Sequence, residues 1–419
     1  MSLFIYNVTL RFLFPLLILH YLRGRFFVRK YSRPIGERFG FFRLRLNFQA
    51  KHRFLVHAVS VGETVAAQPF VQGLKKRYPG CEIIFSNVTE TGHSRASDLI
   101  EADHYVFFPL DYISAVRRFL FKTRPTHVFI LETELWPNFL QECSLRKIPV
   151  TFINGRISRN SYERYILVRF FLKEFLREPR FFMQSQEDMD RIQDLGAGKV
   201  ILSGNLKVDQ LEQNLHLDQR DKICQLFEEH ENPIIVFGSS HQAETCQIID
   251  LVCAWRNEGF SASVIIAPRH LHFMQDYLDY ARELALPVQL RSEFQGGEDF
   301  SCLMLDGYGE LASLYEVASV VVICGSFEPV GGHSILEPAL FERAILYGPH
   351  MENNQELVRI FEESSASLRV ADFSELKQKI ELLLVDPPLR QKLGENASRL
   401  VQQMMGVTRG ILDRLEIPV

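Results

Sequence analysis

From about Arg53 onward, short apolar runs alternate with amphipathic stretches. FLVHAVS, EIIFSNV, YVFFPLD, HVFILE, PVTFIN and FFMQS are apolar at consecutive positions and bounded by turn residues. That is the pattern of strands buried on both faces. Between them, stretches such as TVAAQPFVQGLKKRY and ISAVRRFLFKT carry helical periodicity. The alternation predicts a parallel sheet covered on both sides. VILSGN closes this half near Asn205, and the polar stretch Asp209–Asp221 reads as a linker. The pattern then restarts with PIIVFGSS, SVIIAPR, PVQLRS, SCLMLDG, SVVVICGS and AILYGP. Two doubly wound α/β domains in tandem follow, and ligands of such sheets bind at the C-terminal strand ends.

The N-terminus breaks this pattern. LFIYNVTLRFLFPLLILHYL (Leu3–Leu22) is long enough to cross a bilayer core of about 30 Å. Asn7, Arg11 and Pro15 interrupt it, and Arg23, Arg25, Arg29, Lys30 and Arg33 follow. The expectation is a single membrane anchor with its basic flank on the cytoplasmic side. A helix lying in the interface, or one packed on a soluble body, fits the same residues. No small-residue cleavage site follows.

Composition narrows the class. The chain has 419 residues, 47% hydrophobic and 23% charged, which is globular and long enough for two domains. A net charge of −4 gives no overall preference for nucleic acid. Seven scattered cysteines without a CxxC pair argue for a reducing compartment and against a disulfide frame or a thiolate zinc site. No HExxH, convincing DxD or GxSxG motif occurs, so no metal site is expected.

Several strand ends carry candidate chemistry. Glu63 follows FLVHAVS at the start of a helix, where it either complements the helix dipole or acts as a rigidly held general base. Its place ahead of a helix predicts stabilisation of the charged form, hence lowered basicity. ILETELWPN sets Glu132 and Glu134 at another strand end, with Pro137 suited to a first helical turn. These carboxylates cap, or they stabilise a cationic transition state. In SGNLKVD, Lys207 is either a solvated lysine or a partner for a substrate anion. Pro268, Arg269 and His270 end IIAPRH, a placement suited to phosphate. In DGYGEL, Tyr308, Gly309 and Glu310 open a helix whose free N–H groups suit a nucleotide. CGSFEPVGGHSILEPA adds a Gly-rich loop, in which Gly331 and Gly332 permit close backbone approach to an anion and Glu337 suits ribose hydroxyls. Basic and aromatic, YERYILVRFFLKEFLREPRFF reads as a helix packed on the sheet or as a surface for lipid headgroups.

Taken in order, HAVSVGE, FPLD, ETELWPN, NGRIS, GNLKVD, APRH, GEL and GGHSILEPA resemble the Kdo (3-deoxy-D-manno-octulosonic acid) transferases of lipopolysaccharide assembly. The resemblance runs to about Pro349. It implies a GT-B glycosyltransferase fold with two Rossmann-like domains facing across a cleft. Residues 1–30 would then be anchor and flank, 31–208 the acceptor domain, and 209–419 the CMP-sugar domain, its last helix packing back on the first. The implied donor is CMP-Kdo, and the implied acceptor is a lipid A precursor, then Kdo itself. Inner-membrane lipid is the implied setting, with no cofactor and no nucleic acid. By motif match, Glu63 resembles the catalytic base, while Glu132 and Lys207 resemble groups that stabilise the transition state. Pro268, Arg269, Tyr308, Gly309, Glu310, Ser334, Ile335, Leu336 and Glu337 resemble the CMP-binding segments. Ser334 stands where the family usually has Asn, and SHQAET (Ser240–Thr245) departs from the usual Ser/Thr-His-x-Gly-Glu-Glu. A GT-B transferase using a UDP-sugar and a lipid-linked acceptor would share the anchor and the Gly-rich loop, as would a catalytically silent nucleotide-binding protein.

Overall fold

Two parallel sheets of seven strands each form the frame, as a computed structural model describes it for residues 2–26, 35–211, 217–297 and 299–417. The chain divides into two compact units. Unit 1 holds residues 1–210 and 406–419, and unit 2 holds 211–405.

In unit 1 the strands are β1 (Arg53–Ala58), β2 (Glu82–Asn87), β3 (His104–Phe107), β4 (His127–Leu131), β5 (Val150–Gly155), β6 (Arg180–Met183) and β7 (Lys199–Leu202). Their order is β3-β2-β1-β4-β5-β6-β7. The order reverses between β1 and β4, which pair in parallel from Phe54↔His127 to His57↔Ile130. All six residues of β1 are buried, because helices cover both faces of the sheet. Phe54, Val56 and Ala58 face a core shared with Phe70, Leu74 and Ile411, while Leu55 faces one built with Phe119 and Phe139.

The C-terminal helix Val407–Asp413 is part of unit 1 and packs on the helix Val61–Arg77. A Cβ at Gly73 would lie 2.5 Å from Leu412 Cδ1, so the two helices approach closely and a side chain there would require Leu412 to shift. Asp209 holds the start of the C-terminal helix by accepting from the N–H groups of Gly406, Val407 and Thr408 at 2.6–3.2 Å.

In unit 2 the strands are β8 (Ile234–Ser240), β9 (Ser263–Pro268), β10 (Val288–Leu290), β11 (Cys302–Met304), β12 (Val320–Ile323), β13 (Ala344–Tyr347) and β14 (Leu368–Arg369), in the order β10-β11-β9-β8-β12-β13-β14. Here the order reverses between β8 and β12. The expected linker partly lies outside the described residues, and its end already belongs to the helix Leu217–Leu226, followed by buried Phe227.

The expected membrane-crossing anchor is corrected. Ser2–Phe26 is one helix of 25 residues, but no described helix is long and apolar enough to cross a membrane. Asn7, Thr9, Arg11, His20 and Arg23 dilute its apolar content. Arg29, Lys30 and Arg33 lie outside the described residues. The helix is docked sideways instead: Tyr6 donates to Asp111 at 2.9 Å, and Leu3 packs against the unit 1 core.

The segment Tyr162–Phe182 divides into the helices Arg159–Ile166 and Arg169–Leu176 and then β6. Leu172, Phe175 and Leu176 are buried in the core, while Leu167, Val168 and Phe170 are exposed.

Candidate active site

Glu63 sits in the crevice that the topology of unit 1 predicts for ligands, where the β1 and β4 ends diverge. Ser60 is the N-cap of the helix Val61–Arg77, and its Oγ accepts from the Glu63 N–H at 3.3 Å. The same hydroxyl donates to Glu63 Oε1 at 3.0 Å, while Val59 N–H donates to Oε2 at 2.8 Å. These two donors fix the carboxyl group, which is only 8% exposed as a residue. Burial pushes its pKa up to about 7. The Val59 bond opposes that rise, and the neighbouring carboxylates of Glu132 and Glu134 add to it. The expected depression by the helix N-terminus is therefore reversed. Loss of water around the carboxylate outweighs the two donors and the helix dipole.

Glu132 directly follows β4 in a left-handed conformation with φ of 55°, its N–H donating to Ile153 O at 3.0 Å. A non-glycine residue in that region costs about 1 kcal/mol or more, and such strain is concentrated at functional sites. Glu134 is half-buried, and burial followed by the charge of Glu132 raises its pKa. Thr133 Oγ1 donates to Arg156 O and accepts from Arg156 N–H, which ties the β4 end to the β5 end.

Lys207 lies on the short 3-10 turn Leu206–Gln210, and its ammonium makes no ion pair with a described residue. Two side chains seat this turn. Asn154, at φ 56°, accepts from Leu206 N–H at 2.9 Å, and Gln210 donates to Val65 O in the Glu63 helix. Glu63, Glu132 and Lys207 thus all stand at C-terminal strand ends of unit 1. His57 on β1 is fully buried, stacks on Phe108 and is pushed down to about 3, so it is a neutral packing residue.

Unit 2 organises its own strand ends around Glu244, a residue the sequence reading did not single out. Glu244 is fully buried and accepts from the N–H groups of His241, Gly325, Ser326 and Phe327 at 2.7–3.1 Å. It therefore joins the β8 end to the loop after β12. Pro268 is buried at the end of β9, and Arg269 N–H donates to Ser240 O at 2.9 Å while its exposed guanidinium makes no ion pair among the described residues. His241 and His333 approach at 3.2 Å between their Nε2 atoms, with His270 beside them. Burial, then the Arg269 charge, lowers the pKa of His333.

The remaining candidates divide. Tyr308 is 75% exposed, and Gly309, at φ 98°, has open space where a Cβ would be. Glu310 is paired with Arg291 at 3.2 Å. Ser334 Oγ accepts from Leu336 N–H at 3.3 Å, Ile335 is buried, and Leu336 starts the short helix Leu336–Leu340. Burial raises the pKa of the Glu337 carboxyl group, which accepts no hydrogen bond from a described residue. That leaves it free to accept from ligand hydroxyls. Gly331 and Gly332 have a reason within the protein as well. Their Cβ positions would strike Asn353 at 2.5 Å and Met351 at 2.2 Å. Their lack of a side chain admits the Met351–Asn353 segment of the protein itself.

Residues 33–210 match the family described as 3-deoxy-D-manno-octulosonic-acid transferase (kdotransferase). The chain is 27% identical over 401 residues to the 3-deoxy-D-manno-octulosonic acid transferase of Haemophilus influenzae, covering 92% of each chain. It is 28% identical over 379 residues to that of Bordetella pertussis, covering 86% of each. In fold it is similar to the UDP-GlcNAc 2-epimerase of Neisseria meningitidis, crystallised with UDP-GlcNAc, with a TM-score of 0.57 at 13% identity over 84% of this chain and 99% of that one. The two parallel-sheet α/β units are thus of the Rossmann-like kind shared with GT-B glycosyltransferases. Along most of its length, the chain is thus similar in sequence to the Kdo transferases.

Proposed function

We propose that the chain transfers Kdo from CMP-Kdo to the glucosamine disaccharide of the lipid A precursor lipid IVA, and then to Kdo itself. The observation that carries this reading is Glu63. It is a carboxylate held by Val59 N–H and Ser60 Oγ at the β1–β4 crevice, with its pKa at about 7. A base whose pKa lies near working pH combines a useful ionised fraction with proton affinity.

In the proposed step the acceptor hydroxyl oxygen bonds to the anomeric carbon and its proton passes to Glu63. The bond from that carbon to the phosphate oxygen breaks, and its electron pair leaves with CMP. A single displacement inverts the anomeric centre. The centre is oxocarbenium-like as the phosphate leaves, so Glu132 stabilises its positive charge and Lys207 the developing negative charge. Arg269 receives the phosphate, and Glu337 accepts from the ribose hydroxyls. Tyr308, Gly309 and the Ser334–Leu336 segment border the nucleotide.

The membrane reading rests on unit 1. Phe4, Ile5, Phe12, Leu13, Leu16 and Leu19 of the Ser2–Phe26 helix are exposed. So are Phe41, Phe48 and Phe121, with Arg118 over Phe41 and Arg124 over Phe48 and Phe121. Exposed aromatic rings interleaved with cations suit an anionic lipid interface. The helix then lies in the cytoplasmic surface of the inner membrane and does not cross it.

Mass spectrometry of products from CMP-Kdo and lipid IVA tests the proposal, with Glu63→Ala as the inactive control. Inhibition by UDP and not by CMP, or a covalent glycosyl adduct on Glu63, would overturn it.

A further inference from the structure

The N-terminal helix meets unit 1 through polar bonds that a simple tether does not need. Asn7 and Asn138 exchange amide hydrogen bonds in both directions, each 2.9 Å. Tyr6 donates to Asp111 Oδ2 at 2.9 Å, and Tyr112 donates to Leu10 O at 2.9 Å. Phe14 packs edge-on against Tyr112. Asn138 is 1% exposed and Asp111 5%, so these groups are matched away from water. Buried polar groups matched in this way specify one docking geometry, because any other leaves them unpaired.

The place of this network matters. Asn138 is the second residue of the helix Pro137–Leu145, which directly follows the segment Glu132–Trp136. The Trp136 N-cap supplies no side-chain bond. Asp111 caps the helix from another loop, its Oδ2 accepting from Asn138 N–H at 3.0 Å and its Oδ1 from Phe139 N–H at 2.9 Å. Asn138 Nδ2 also donates to Asp111 O. The residues that seat the N-terminal helix are therefore the residues that hold the first turn after Glu132 and Glu134.

We infer that the N-terminal helix is a positioning element of the acceptor site, acting through an Asn7–Asn138 and Tyr6–Asp111 latch on the Glu132–Trp136 segment. Asn7, Asn138, Tyr6 and Asp111 touch no substrate. They set the geometry of the segment that does, so seating the helix on unit 1 governs turnover and not only membrane attachment. This rests on the role proposed for Glu132.

The test uses the full chain with vesicles of phosphatidylethanolamine and phosphatidylglycerol containing lipid IVA. Asn7→Ala and Asn138→Ala should each lower kcat about tenfold, the scale of one buried amide left unpaired. The KM for CMP-Kdo and co-flotation with vesicles should not change. The double variant should lose no more than Asn138→Ala alone, since the Asn7–Asn138 bonds are already broken there. Tyr6→Phe, which removes a single hydroxyl, should act in the same direction where an alanine variant fails to fold. Hydrogen exchange at the amides of Asn138 and Phe139 should quicken in every variant. Losses that multiply in the double variant, or lost flotation with kcat restored in detergent, would overturn the latch. If the native chain transfers no Kdo, the proposed function fails, and exchange alone decides: unchanged rates overturn the latch and faster rates support it.

Discussion

Replacing Glu63 with Gln keeps its shape and removes its charge. The carboxyl group rises from an ordinary 4.5 to about 7 in the fold, chiefly through burial. Between those values the unfolded chain has released the proton while the folded chain retains it. The unfolded state then binds fewer protons, so stability falls as pH rises through this window. A difference of that size is worth roughly 3 kcal/mol once both states are ionised. Glu63→Gln should match the native chain in stability below about pH 4.5. Above pH 7 it should be more stable by up to about 3 kcal/mol, or about 6–12 °C in the unfolding midpoint of a unit this size. Transfer should fall by about 10²–10⁴-fold. In the native chain kcat/KM should climb with pH to a plateau just above pH 7. Thermal unfolding from pH 4.5 to 8, beside the pH–rate profile, measures both effects. A stability difference that does not change with pH would refute the buried-carboxylate reasoning. An unchanged rate would remove Glu63 from the chemistry.

Glu134→Gln removes one of the charges that raise the Glu63 pKa, so the acid limb of the pH–rate profile should move to lower pH. Glu244→Gln turns an acceptor of four N–H groups into an amide with one oxygen. It should cost unit 2 about 3 kcal/mol and weaken CMP binding at least about tenfold, read by denaturant unfolding and calorimetry. Gly332→Ala places a methyl group on Met351 Sδ at a φ of 73°. It should destabilise unit 2 by about 1–3 kcal/mol in the same unfolding assay. The family likeness implies a metal-independent reaction, so activity in metal-free preparations should survive EDTA. Loss of activity with rescue by added Mg²⁺ would contradict that.

The strand frame was legible because parallel strands covered on both faces are apolar at every position, as the six buried residues of β1 are. β14, two residues at the sheet edge, is too short to leave such a run. The N-terminal helix was legible as a helix but not in its setting, since Asn7 read as a blemish in an apolar run and Tyr6 as part of that run, and both serve as docking groups. Glu63 was legible at a helix start, yet its proton affinity depends on burial and on Glu132 and Glu134, which lie about seventy residues along the chain. Asn154 and Glu244 were missed for a related reason. The Asn154 bond reaches a backbone group 52 residues away, and three of the four Glu244 bonds reach across 81–83 residues, so these pairs leave no local spacing; the fourth, to His241 N–H, reads as an ordinary helix cap.

Glu63 and Glu244 occupy equivalent places in their units. Each follows the first strand of its sheet, at the third position after an N-cap residue, Ser60 in one and His241 in the other. What separates them is how their acceptor sites are used. A carboxylate offers about four lone-pair sites. Glu244 spends four on N–H groups of the protein, is closed to solvent, and braces the loop after β12. Glu63 spends two, on Val59 and Ser60, and keeps the others for a proton or a hydroxyl. One local arrangement, a carboxylate in the first turn after a central strand, therefore gives a brace where donors saturate it and, under the role proposed for Glu63, a base where they do not. The neighbours at the adjacent strand end decide between the two. In unit 2 the β12 end supplies further N–H donors, whereas in unit 1 the β4 end supplies the carboxylates of Glu132 and Glu134, which raise the proton affinity of Glu63.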